Sequence, residues 1–239
     1  MSIDRIPFGA HLAELRRRLI YCVLTLAAAF FICYWASDYL VSALFYPIRQ
    51  ALPPGSTMVF TSLTEGFMTY LKVSFWAAVI VSTPMFAYQA WAFLAPGLYE
   101  NEKRRITVFA GWAATLFTTG AAFGYWVIMP VVLSITMGFA SKGLEAMPRL
   151  QDYLVFVLKT MLCFGITFEM PFLMAFTVRL GLVPGGYFKK HRKIFYLTLY
   201  ILAVALAPTD IFSQIMLLAP LIGVFEIGIL AAAKKNGPQ

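Results

Sequence analysis

The chain has 239 residues, of which 61% are hydrophobic and 13% charged, and its mean hydropathy is +0.77. A soluble domain carries about 25% charged residues, so this composition excludes an ordinary water-soluble globule and makes lipid the main solvent. A net charge of +8 would suit a nucleic-acid binder, but in a membrane chain Lys and Arg first mark the loops on one side of the bilayer.

The N-terminal stretch "HLAELRRRL" sets His11, Glu14 and Arg18 at helical spacing beside a stripe of Leu12, Leu15 and Leu19. It reads as an amphipathic lead-in helix lying at the membrane surface. Glu14 and Arg18 could equally form a solvated i, i+4 pair. The apolar run that follows is longer than the 7–15 residues of a signal-peptide core, so it is read as an uncleaved first span, about 19–38. "YPIRQALPPGSTM", with Pro47, Pro53, Pro54 and Gly55, reads as loop and turn. A second span follows at about 73–94, with Pro84 inside it. A third, at about 106–129, is ended by Pro130, and a fourth, at about 153–178, holds Glu169 and Pro171. The last two are at about 194–207 and 211–233, joined by a "PTD" turn. About 14 apolar residues span only ~21 Å against a hydrocarbon core of ~30 Å. The short final spans therefore draw Asp210 and Gln214 to the outer interface or thin the bilayer.

Six spans put both termini on one side. Fourteen of the nineteen Lys and Arg fall on that side; Arg49, Lys72, Lys142, Arg149 and Lys159 fall on the other. The positive-inside rule then gives N-in and C-in, with Lys159 able to snorkel outward. The fold class is all-α, polytopic, in one membrane domain covering 1–239.

Glu169 stands amid apolar residues near mid-bilayer, ten residues before Arg179. A charge there costs on the order of 3 kcal/mol, so an intramembrane acid is by default a functional site. Its alternative is a protonated group bonding a neighbouring helix. In "WAFLAPGLYENEKRR", Glu100 and Glu102 precede three basic residues. They suit a helix N-terminus or form an acidic patch for a basic ligand. Cys22, Cys33 and Cys163 lack disulfide or zinc spacing. HExxH, GxSxG and a glycine-rich phosphate loop are absent, and no enzyme is expected.

"HLAELRRRL", "SALFYPI", "YQAWAFLAPGLYENEKR", "FGITFEMP", "APTDIFSQ" and "PLIGVFEIGI" occur in this order. In this the chain resembles the TatC family, the multispanning core subunit of the twin-arginine protein translocase, over nearly its whole length. The resemblance implies six spans in a concave, glove-like wall, N-in and C-in, in the cytoplasmic membrane of a prokaryote. It implies binding of the twin-arginine signal peptides of folded precursors at the cytoplasmic face and assembly with single-span subunits of the TatA and TatB kind. Self-association, transport driven by the proton-motive force, and no cofactor, metal or nucleic acid also follow from it. By position, Glu14 and Glu102 match the acids of the recognition site, with Arg16, Phe93 and Pro96 beside them. Glu169 matches the intramembrane acid, and Pro47, Asp210 and Gln214 match outer-side functional positions. Two readings compete with this one: a proton-coupled secondary transporter of a small solute using Glu169, and a scaffold whose acids only balance helix dipoles.

Overall fold

The computed structural model describes residues 8–51, 64–94, 106–138, 149–206 and 211–233, and in these it is built of helices. Helix α1 (Phe8–Trp35) has 28 residues and runs ~42 Å. The lead-in segment is therefore the prolongation of the first span, and the expected separate surface helix is corrected. The chain turns at Ala36 into two short helices, α2 (Ser37–Leu44) and α3 (Tyr46–Ala51), which cap one end of the bundle. Pro47 stands in the first turn of α3, not in a loop as its sequence suggested. A proline there gives up an N–H that the helix would not have paired. Pro53, Pro54 and Gly55 lie outside the described residues.

Helix α4 (Glu65–Leu94) has 30 residues and contains Pro84. It starts about two turns earlier than expected, because polar Thr69 and Ser74 bond backward to the carbonyls of Glu65 and Tyr70 and so ride within the helix. The third span is also longer than expected. Helix α5 (Ile106–Phe123) passes through a π turn at Gly124–Ile128 into α6 (Met129–Gly138), so Pro130 does not end it. The wider turn, closed by the Met129 N–H on the Gly124 carbonyl, makes room for the proline ring that an α turn would exclude.

Helix α7 (Leu150–Arg179) holds Glu169 and Pro171. A one-turn helix α8 (Tyr187–Lys190) leads to α9 (Arg192–Leu206) and α10 (Ile211–Ala233). With 15 residues α9 spans ~22 Å; with 23, α10 is of ordinary length, so the expected shortness holds for α9 alone. Among the described residues, five helices are long and apolar enough to cross a membrane. α9 completes an arrangement that fits six spans.

Helix α7 is the centre of packing, against α5, α10 and the cap-side half of α4. Buried Phe164, Leu217, Leu221 and Phe225 fill one core, and Ile48, Val73, Met129 and Leu154 the other. Apolar side chains gain little by leaving lipid for protein, so close fit carries the energy. Gly165 shows how close: a Cβ there would lie 2.5–2.9 Å from three ring carbons of Phe117. The cap is held by two tyrosines. Tyr125 and Tyr153 donate their hydroxyls at 2.7 Å to the carbonyls of Ala43 and Leu44, end-of-helix acceptors without an intrahelical partner.

Candidate functional site

At the end of the bundle opposite the cap, α1 meets the last turns of α4. The four-residue spacing of Glu14 and Arg18 brings their side chains together. Arg18 Nη2 lies 2.5 Å and Nε 3.0 Å from the same Glu14 oxygen, Oε1. Arg18 Nη1 reaches across to Gln89 Oε1 at 3.2 Å. Gln89 is buried, and Phe93, half-buried, follows it by one helical turn. Charge-assisted bonds of this kind are roughly twice as strong as neutral ones. They fix the Glu14 carboxylate while its other oxygen, Oε2, bonds no described residue.

Arg16 is not part of this group. It leaves α1 two residues, about 200°, from Glu14. It is exposed there beside Leu12, Leu15, Leu19 and Ile20. Glu102 and Pro96 lie outside the described residues, as does Asp210. Gln214 sits in the first turn of α10 and Pro47 in α3, both at the cap end, so the structure keeps them apart from Glu14 and Phe93. Glu169 lies between the two ends, ~15 Å along α7 from Arg179. It is half-buried and makes no hydrogen bond or ion pair with a described residue.

Three polar groups escaped the sequence reading. Gln89 was visible only as an amide in an apolar run. Glu226 accepts bonds from Arg192 Nη2 and the Tyr196 hydroxyl, each at 2.5 Å, tying α9 to α10. Glu65, 3% exposed, begins α4 with Arg149 Nη2 at 4.0 Å, while Arg149 Nη1 is 3.7 Å from Asp152. Sequence separations of 71, 34 and 84 residues hid these pairs. The one clue was the cost of a lone charge in lipid, which demands a partner.

The family model for the Sec-independent protein translocase protein TatC matches residues 10–220. The chain belongs to the TatC family. A TatC of Desulforapulum autotrophicum is 38% identical over 96% of this chain and 85% of that protein. TatC of Escherichia coli K12 is 34% identical over 96% of this chain and 89% of its own length. The crystal structure of a twin-arginine translocase receptor, TatC, superposes with a TM-score of 0.86 at 30% identity, covering 93% of this chain and 97% of that one. As a TatC-family chain it is a multi-pass membrane protein and a component of a protein translocase. That assignment displaces the small-solute transporter, which finds no support among these relatives.

Proposed function

We propose that this chain is the receptor subunit of a twin-arginine translocase in a prokaryotic inner membrane, both termini cytoplasmic. In this reading it binds the signal peptides of folded precursors and assembles with TatA- and TatB-type single-span subunits for export driven by the proton-motive force. The observation that carries the reading is the Glu14 carboxylate, held through one oxygen by Arg18 and Gln89 while the other is open. A guanidinium on an incoming peptide binds carboxylates in planar, forked geometry, which an ammonium cannot reproduce. Glu102, from the loop after α4, supplies the second acid, one for each arginine. Phe93 and Pro96 shape the apolar side of the same site. Arg16, on the other face of α1, is its neighbour in sequence and serves the peptide only from outside that pocket. Glu169 receives a polar side chain of a partner helix, offsetting the cost of its burial. Pro47, Asp210 and Gln214 serve assembly at the outer face.

The test is binding of a twin-arginine signal peptide to the chain in nanodiscs, beside its Lys-Lys version. We expect affinity at least tenfold weaker for Lys-Lys and for Glu14→Ala or Glu102→Ala with the native peptide. Equal binding of the two peptides, or binding indifferent to both acids, overturns the proposal.

A further inference from the structure

The face of α7 that no described helix covers carries Val155, Lys159, Leu162, Ile166, Glu169 and Leu173. Their spacing is 4, 3, 4, 3 and 4 residues. This is the heptad pattern of a helix seam, the pattern that packs a second helix at a shallow, left-handed crossing. The opposite face is spent: Thr160, Phe164, Thr167 and Met174 are buried against α5 and α10. On the open face Ile166 is 55% and Leu173 41% exposed.

Two ionisable groups interrupt this apolar seam. α7 has 30 residues, a length of ~45 Å; centred on a core of ~30 Å, it puts Lys159 about 6 Å and Glu169 about 21 Å below the cap-side boundary. Neither group makes an ion pair or hydrogen bond with a described residue. Both are half-buried. Lipid offers nothing to a carboxylate at that depth, and the same seam presents a cation about three turns away.

We infer that this stripe seats one transmembrane helix of a partner and that Lys159 selects it, by pairing with a carboxylate in that helix's cap-side half. The partner that fits has an apolar helix with an Asp or Glu there, and a hydrogen-bonding side chain ten or eleven residues further in, opposite Glu169. The two points, ~15 Å apart, fix the register of the pair, as a single buried polar residue does in a coiled coil. The inference rests on the reading that single-span subunits dock on this chain, and it adds a charge code to that docking.

The test places a photo-crosslinking residue at Leu162 or Ile166, between the two charges, in membranes that also hold the single-span subunits. Both positions should crosslink to a single-span subunit. Lys159→Glu should lower the yield at least tenfold, Lys159→Arg should retain it, and an acid-to-Lys change in the partner helix should restore Lys159→Glu. Should Lys159→Glu fail to accumulate, Lys159→Met, which keeps the span apolar, should still lower the yield severalfold. Adducts with lipid alone, or a yield unmoved by Lys159→Glu or Lys159→Met, overturn the inference and leave Lys159 as a snorkelling side chain. Signal-peptide binding by the same membranes separates the two failures. If arginine-selective binding persists without crosslinks, the seam alone falls; if it is lost too, the receptor reading falls with it.

Discussion

Tyr153 donates its hydroxyl to the Leu44 carbonyl from a position 5% exposed. Replacing it with Phe leaves that carbonyl dry and unpaired, which costs about 1–3 kcal/mol. Thermal unfolding in detergent should show Tyr153→Phe well below the parent, and Tyr125→Phe, at a half-exposed position, closer to it. The Glu14–Arg18 pair behaves differently. Its side chains are 31% and 22% exposed, so water screens the charges and an i, i+4 pair contributes only about 0.3–0.5 kcal/mol. A double-mutant cycle of Glu14→Gln and Arg18→Met should return a coupling below about 1 kcal/mol. A larger value would mean that the pair holds α1 to α4 rather than holding a carboxylate in readiness. At this scale the sequence was informative where partners lie one turn apart, as Glu14 and Arg18 do. It was silent on Tyr153 and Leu44, which are 109 positions apart.

Among the elements, the contact between α5 and α7 leaves the least slack. Phe117 is 1% exposed and its ring lies flush on Gly165. Gly165→Ala should therefore destabilise by about 1–3 kcal/mol through overpacking, and Phe117→Leu in the same chain should recover part of it. If Gly165→Ala alone is neutral, the helices have freedom to part. Helix α9 is the opposite case. It is short and is tied to α10 by Arg192, Tyr196 and Glu226. Glu226→Gln should raise amide exchange in α9 more than in α7, as expected of an element held by few contacts. The elements were legible in outline because long apolar runs in lipid have one solution. The sixth span begins and ends as its sequence suggested. Errors gathered at proline. Pro47 and Pro130 read as breaks, but a first-turn position and a π turn absorb them, and neither device leaves a mark in composition.

For the whole molecule, the ~22 Å of α9 must share a bilayer with α7, which is about twice as long. Mismatch of this kind is met by thinning the lipid near the short helix and tilting the long one, at fractions of a kcal/mol per Å. Reconstituted in bilayers of graded acyl length, the chain should unfold at the highest temperature in the thinner ones. Highest stability in the thickest would show that α9 does not set the local thickness. The membrane class and the number of spans followed from hydropathy and charge alone, since lipid permits so few architectures. Which faces of those spans stay open did not follow, because an apolar residue looks the same whether it meets lipid or protein.

The turn at Gly124–Ile128 holds one residue more than an α turn would. That extra residue advances everything after it by roughly 100° around the helix axis. Met129, Val132 and Leu133 face the core only because of this offset. Removing one residue from the turn would send those three toward lipid and bring lipid-facing neighbours such as Val131 inward, while the composition of the span barely changed. A single-codon deletion here would thus rewrite the inside and outside of half a helix, where the same deletion in a loop would pass unnoticed.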